Sequence, residues 1–266
     1  MSVDLKVVVI VAFDELETLP SEREPWRQRY CLDTAITLKG CPTPILHDGD
    51  GLGLLTTGIG KTAAAVSTST LLASDRFDLD DTVFISVGVA GGPPQIVDIG
   101  SVVISSMILD WDLKVRWDGQ EGHIQIGLNE YLDEPSVFQL DEAFVTEAVQ
   151  VASATDARVF RGTNVCGDEL WHGASLARQV SWLVATNDCE PYLVTEMEDA
   201  GTARALDRFG ILDRYLSIRG ISNFDRPEDD TTARESFLED DFEAGFSRGL
   251  SAAFEAASTI VDHLRS

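Results

Sequence analysis

The stretch from Asp81 to Ser105, DTVFISVGVAGGPPQIVDIGSVVIS, constrains the fold more than any other part of the chain. Val83 to Val87 is a short, β-branched apolar run, the composition of a strand buried on both faces of a parallel sheet. At Gly88 the run gives way to Val89-Ala90-Gly91-Gly92-Pro93-Pro94, so the pattern predicts that the strand stops there. Residues without bulky side chains let backbone approach a ligand closely. In open α/β sheets ligands bind outside the carboxyl ends of the strands. Val89, Ala90 and Gly91 are therefore candidate substrate-binding residues, although an ordinary glycine-rich strand exit has the same composition.

The rest of the chain alternates in the manner of an α/β protein. Lys6 to Phe13, Gly51 to Thr57, Ser101 to Leu109, Val159 to Gly167 and Tyr215 to Ile221 read as strands. Lys61 to Ala73 reads as an alanine-rich helix whose small residues permit close packing on a sheet, with Lys61 structural. Pro135-Ser136 is expected to open a helix through Val151, capped by Ser136. The tail from Thr231 to Arg265 is expected to be helical, with Phe254, Ala257, Val261 and Leu264 on one buried face. No low-complexity linker divides the 266 residues, so a single domain over 1–266 is expected.

The net charge of −25 opposes nonspecific binding to nucleic acid or to an anionic membrane, both of which need basic patches. It suits high salt, where screening removes self-repulsion, so a halophilic source is an expectation. The four cysteines, Cys31, Cys41, Cys166 and Cys189, form no C-x-x-C pair, and with few histidines no metal or other cofactor is expected. Reduced thiols imply a cytoplasmic protein. The opening MSVDLKVVVIVAF lacks a basic region and a cleavage site, and no apolar stretch is long enough for a bilayer, so membrane insertion is not expected.

Read in order, TTGIGKTAAA, SVGVAGG and DIGSVVIS resemble the nucleoside phosphorylase/nucleosidase superfamily. Glu22 to Trp26, EREPW, and Trp171-His172-Gly173 make the fuller match one to its purine nucleoside permease branch. The resemblance spans residues 5 to 265. It implies a nucleoside phosphorylase-like fold, a central mixed sheet flanked by helices, in a homo-oligomer. It also implies that ILDWDLKVRWDGQEG supplies an aspartate-rich strand at a subunit contact.

The implied chemistry is cleavage of the N-glycosidic bond of a purine nucleoside. In nucleosidases the first strand leads into an acidic cluster that activates water; here it leads into Asp14-Glu15-Leu16-Glu17, making Glu15 and Glu17 candidate bases. Gly167-Asp168 precedes Leu170 and Trp171 at the positions implied to stack on the base. In Thr195-Glu196-Met197-Glu198, the resemblance makes Glu198 the acceptor from the ribose hydroxyls and lays Met197 against the sugar. A carboxylate suits vicinal hydroxyls, and methionine supplies soft apolar packing.

Ser222-Asn223 matches the pair at the purine edge. The Asn223 amide can donate to O6 and accept at N7, which favours 6-oxopurine nucleosides. Asp225 is a rival acid.

Water is favoured over phosphate as second substrate. The arginine and serine that hexameric phosphorylases place around this strand exit align with Ser86 and Val89, and DELE stands where those enzymes have a glycine-rich phosphate loop. Lys61 or Arg226 would have to substitute for phosphorolysis to occur. A noncatalytic nucleoside-binding protein serving uptake is the alternative of a different class.

Overall fold

The computed structural model describes residues 2–14, 16, 18–119, 124–128, 134–226, 232 and 241–266. In chain order the strands are β1 (Val3–Asp4), β2 (Val7–Val11), β3 (Thr34–Ile36), β4 (Ile45–His47), β5 (Leu52–Thr56), β6 (Phe77–Asp78), β7 (Val83–Gly92), β8 (Val102–Asp110), β9 (Lys114–Asp118), β10 (Ile124–Leu128), β11 (Val137–Gln139), β12 (Val159–Cys166), β13 (Tyr192–Glu196) and β14 (Tyr215–Phe224). The helices are α1 (Glu24–Tyr30), α2 (Lys61–Leu72), α3 (Glu142–Ala152), α4 (Ala174–Thr186), α5 (Asp199–Arg208) and α6 (Asp241–Leu264).

A central mixed sheet runs β11-β8-β12-β13-β7-β2-β5-β4-β3, and β14 pairs with both β7 and β8. Those two pairings close β8, β12, β13, β7 and β14 into a ring, so the strand ends converge on one mouth. The strands β2 and β5 are buried along their whole length, as their apolar runs require. The hairpin of β9 and β10 forms a separate small sheet, where the sequence placed its aspartate-rich strand.

Two expectations are corrected. Strand β7 does not stop at Gly88; it continues to Gly92, because Gly88–Gly92 pairs in parallel with Arg219–Phe224. Glycines carry no side-chain alternation, so this extension is silent in the pattern. No helix starts at Ser136. Residues Val137–Gln139 pair antiparallel with β8, and the helix begins at Glu142 with Asp141 as its cap, its carboxylate accepting from Phe144 N at 2.8 Å. Ser136 instead donates its hydroxyl to Leu113 O at 3.2 Å.

Helix α6 lies on β14 through glycines. A Cβ at Gly220 would run into Gly249 O, and one at Gly245 into Ser222 O. Helix α5 meets α2 in the same way, since a Cβ at Gly201 would strike Lys61 O. These close approaches fix β14 and the α2 amino terminus against the mouth of the ring. Among the described residues, no helix is long and apolar enough to cross a membrane.

Candidate active site

The mouth is built from the exits of β2, β7, β13 and β14 and the first turn of α2. At β14, Ser222 is the extra residue of a bulge: Ile221 pairs with Ala90 and Asn223 with Gly91. Bulges re-aim side chains, and this one turns Asn223 over β7. Its Nδ2 lies 3.1 Å from where a Cβ of Gly91 would stand, as does the Thr195 hydroxyl. The absence of a side chain at Gly91 thus makes room for Asn223 and Thr195 to converge. Ser222 Oγ donates to Asn223 Oδ1 at 2.8 Å, which orients the amide with its nitrogen towards Gly91.

The β13 exit supplies Met197, half-buried, and Glu198, buried at the cap position of α5. Glu198 Oε1 accepts from Gly60 N at 2.9 Å, so the TGIGK turn holds the carboxylate in place. Gly60 has φ +94°, a conformation natural to glycine, and the next amide, Lys61 N, donates to Asp168 Oδ1 at 2.7 Å.

Behind Glu198 lies a buried charge cluster that sequence reasoning did not assemble. Arg219, 2 % exposed, projects from β14 and pairs with Asp199, donates to Ser86 Oγ at 2.9 Å, and lies 3.1 Å from Glu196 Oε2. Asp199 also accepts from Tyr215 Oη and Asn164 Nδ2, each at 2.8 Å. Glu196 Oε2 accepts the amides of Glu198 and Asp199 at 2.8 and 3.0 Å, closing the start of α5.

Glu22 is the fourth carboxylate of this cluster. Its Oε2 accepts from Ala12 N at 2.8 Å. Four acids therefore surround one guanidinium. Burial raises the carboxyls of Glu196 and Glu198 above their ordinary range, and raises Glu22 to about 6. For Asp199 the Arg219 charge and its hydrogen bonds outweigh burial and hold the carboxyl below its usual range.

The other candidates fall as follows. Val89 is half-buried and Ala90 buried in β7, on the same exit as Gly91. Leu170 is 70 % exposed, whereas Trp171 packs in a cluster with Leu109, Trp111 and Val180. Asp225 is buried: Oδ2 accepts from Tyr192 Oη at 2.9 Å, and Oδ1 is ion-paired 2.9 Å from Arg226 Nε without a hydrogen bond. Lys61 Nζ is held between Asp110 and Asp112. Glu15 and Glu17 lie outside the described residues. Among the described residues, no group of three or more His, Cys, Asp or Glu is arranged to hold a metal ion.

Arg219 had a visible signal, a lone cation inside the apolar run YLSIRGI, because a charge in a buried strand must be paired. Thr195 and Gly60 lie within motifs already singled out. Glu22 had only its place in EREPW.

Comparison with known proteins fits this geometry. The chain matches the family described as "Purine nucleoside permease (NUP)" over residues 4–156 and 131–266. It is 30% identical to a 5'-methylthioadenosine/S-adenosylhomocysteine nucleosidase of Bacillus pumilus, over 88% of this chain and 92% of that protein. It is 26% identical to a purine nucleoside permease of Candida albicans, over 90% of this chain and 71% of the relative. The fold superposes on the 5'-methylthioadenosine/S-adenosylhomocysteine nucleosidase of Neisseria meningitidis, solved with methylthio-immucillin-A. The TM-score is 0.73 at 20% identity, covering 97% of this chain and 100% of the other.

Proposed function

The chain belongs to the purine nucleoside permease family, and from that premise we propose that it is a purine nucleosidase, using water to cleave the N-glycosidic bond and release base and free ribose. The observation that carries this reading is the buried cluster of Glu22, Glu196, Glu198 and Asp199 around a single Arg219. Glycosidic cleavage passes through an oxocarbenium-like transition state, in which positive charge develops on the sugar. Asp199 and Glu22, the two acids of the cluster that stay ionised at neutral pH, outnumber the one guanidinium, and that excess of negative charge stabilises the sugar cation in a site sheltered from water. The same excess repels a phosphate dianion. At 4 Å and intermediate dielectric, one pair of unit charges is worth about 4 kcal/mol.

The alternative phosphate ligands are occupied. Lys61 is held by two aspartates and Arg226 by Asp225 and Tyr192. Nucleosidase relatives of similar length support the same choice.

In this reading Glu198 accepts from the ribose hydroxyls, Met197 packs on the sugar, and Asn223 and Thr195 face the base over the Gly91 wall. Val89 and Ala90 complete that wall, and Leu170 and Trp171 border the base from the Gly167-Asp168 turn. Asp225 is a strut for this corner, not an acid. The protein works as a homo-oligomer in the cytoplasm.

Incubation with inosine is expected to yield hypoxanthine and free ribose at the same rate with and without phosphate. Ribose 1-phosphate as the main product would overturn the hydrolytic reading. Tight binding of inosine without turnover would replace it with a binding protein.

The orientation of Asn223 supports a preference for 6-oxopurines. Its amide nitrogen, which also donates to Phe224 O at 3.3 Å, is the group turned towards Gly91, and its remaining N–H would meet O6 but oppose a 6-amino group. Asn223→Asp is expected to move the inosine-to-adenosine ratio of kcat/KM towards adenosine by about tenfold or more, the worth of one discriminating hydrogen bond. An unchanged ratio would remove Asn223 from the base site.

A further inference from the structure

Resting on the assignment of Glu198 to the ribose in that reading, we propose that Asp168 is a positioning residue for Glu198, acting through two consecutive amides at the start of α2. Gly60 N donates to Glu198 Oε1 at 2.9 Å, and Lys61 N donates to Asp168 Oδ1 at 2.7 Å. The first amides of a helix have no partner within it, and carboxylates are well suited to accept from them. With Oε1 held by Gly60, Oε2 of Glu198 is the oxygen that faces the ribose hydroxyls in this reading.

Gly60 is the hinge between the two donors. It caps α2 at φ 94° and ψ 153°, and without a side chain it is free to swing. Anchoring the Lys61 amide removes that freedom and holds the Gly60 amide towards Glu198. The bare Cα also lets the anchor come close, since a Cβ at Gly60 would stand 2.9 Å from Asp168 Oδ1.

Asp168 is exposed, but its backbone is fastened on two sides. Gly167 N donates to Glu196 O at 3.0 Å, and Asp168 N donates to Asp112 Oδ2 at 2.7 Å. The same Asp112 oxygen lies 2.8 Å from Lys61 Nζ, which also reaches Asp110 Oδ1 at 2.5 Å. The contacts form a closed circuit. The Lys61 ammonium holds Asp112, Asp112 holds the Asp168 main chain, and the Asp168 side chain returns to the Lys61 main chain. No member swings away without breaking a bond.

This circuit joins the two sides of the site. The Gly167-Asp168 turn leads to Leu170 and Trp171, which border the base, while Gly60 holds the carboxylate assigned to the sugar. Asp168 thus acts on the sugar through Gly60 and Glu198 without touching it.

The test is Asp168→Ala beside Asp168→Asn, with inosine and 2′-deoxyinosine as substrates and base release as the readout. Alanine keeps the main-chain donor to Asp112 and removes the acceptor for Lys61 N. Asparagine keeps an acceptor and removes the charge. Asp168→Ala is expected to lower kcat/KM for inosine by about 5- to 50-fold, in keeping with the cost of slightly misplacing a positioned group. The loss should be smaller for 2′-deoxyinosine, which offers Glu198 one hydroxyl fewer, so the ribo-to-deoxy ratio should fall. The inosine-to-adenosine ratio, set at the base edge, should stay as in wild type. Asp168→Asn should recover most of the loss. Because the side chain is exposed, the melting temperature of Asp168→Ala should fall by no more than about 5 °C. In Asp168→Ala/Glu198→Gln, kcat/KM should match Glu198→Gln alone within about threefold, since residues acting through one contact are not additive.

Wild-type kcat/KM in Asp168→Ala, an unchanged ribo-to-deoxy ratio, or losses that multiply in the double variant overturn the positioning role and leave the reaction intact. Equal losses in the alanine and asparagine variants also overturn it, because the charge and not the contact would then matter. An unimpaired Glu198→Gln removes the ribose assignment and this role with it. A wild type that binds inosine without releasing base overturns the nucleosidase reading alone; the dissociation constants of the two nucleosides then give the same ratio, and its persistence in Asp168→Ala refutes the role.

Discussion

Glu198→Gln is expected to lower kcat/KM by about 30- to 1000-fold with little change in melting temperature. The fold-neutral part follows from the surroundings of the side chain. Oε1 accepts from Gly60 N at 2.9 Å, and the carbonyl of glutamine accepts the same bond. Its removal from the charge cluster also relieves repulsion, since Glu196, Asp199 and Glu22 are all nearby acids.

The catalytic loss has two sources. Two charge-assisted bonds to the ribose hydroxyls, each worth roughly 1.5–3 kcal/mol, become neutral or are lost. The developing oxocarbenium also loses a nearby anion. A net loss of about 2–4 kcal/mol corresponds to the stated range at 1.36 kcal/mol per factor of ten. The loss should fall chiefly on kcat, because the sugar charge exists only in the transition state. A 2′-deoxynucleoside gives the internal check: its disadvantage against the ribonucleoside should shrink in the variant. Wild-type kcat/KM in Glu198→Gln would remove the residue from the sugar site.

The fold was legible where burial writes itself into composition. β2, β5, β8 and β14 are near-continuous apolar runs, and a mixed α/β sheet follows from their spacing. Elements decided by pairing alone left no such mark. β11 is three residues long, too short for any period, and exists because β8 offers it an edge. The continuation of β7 through Gly88–Gly92 is invisible because glycines cannot alternate; it becomes a strand only when β14 lies beside it. The Pro135-Ser136 cap signal was genuine chemistry in the wrong place, outcompeted by Asp141 five residues later.

The site was half legible for a related reason. Glu198 and Asn223 sit in ordered motifs whose residue types match their partners. Glu22 sits among Glu15, Glu17 and Glu24, and local sequence does not tell which carboxylate a loop folds inward. That choice is made by Asp14, Ser21 and Arg23, three side chains whose mutual bonds appear only in three dimensions. Arg219 carried a clearer signal, a lone cation in a buried strand, but its partners Glu196 and Asp199 are brought to it only by the fold.

Arg219→Met is expected to be the most destabilising single change in the molecule. Among the described residues Arg219 is the one cation of a cluster in which Asp199 is fully buried and ionised. Its removal leaves an uncompensated charge, and breaking a buried pair from one side costs about 3–5 kcal/mol. At roughly 2–4 °C per kcal/mol for a chain of this size class, the melting temperature should fall by about 6–20 °C.

The penalty should depend on pH with a definite sign. In the wild type the Asp199 carboxyl is held below its ordinary value of 3.8, so its contribution is present above that value and lost as pH falls. Without Arg219, burial, the largest influence on Asp199, is opposed only by neutral hydrogen-bond donors such as Ser217, so the same carboxyl is expected to rise. Its neutral form is then favoured by the fold at low pH, and stability is lost as pH rises towards neutrality. The gap between wild type and variant should therefore be small near pH 4 and widest near pH 7.

Pairing the change with Asp199→Asn separates structure from catalysis. The double variant removes the orphaned charge and should recover most of the lost stability, since neutral groups of similar shape replace a buried ion pair at little cost. Turnover should stay low, because Glu22 and Glu198 would still lack the guanidinium that opposes their protonation. A single variant melting within about 2 °C of wild type would show that Arg219 does not hold this cluster together.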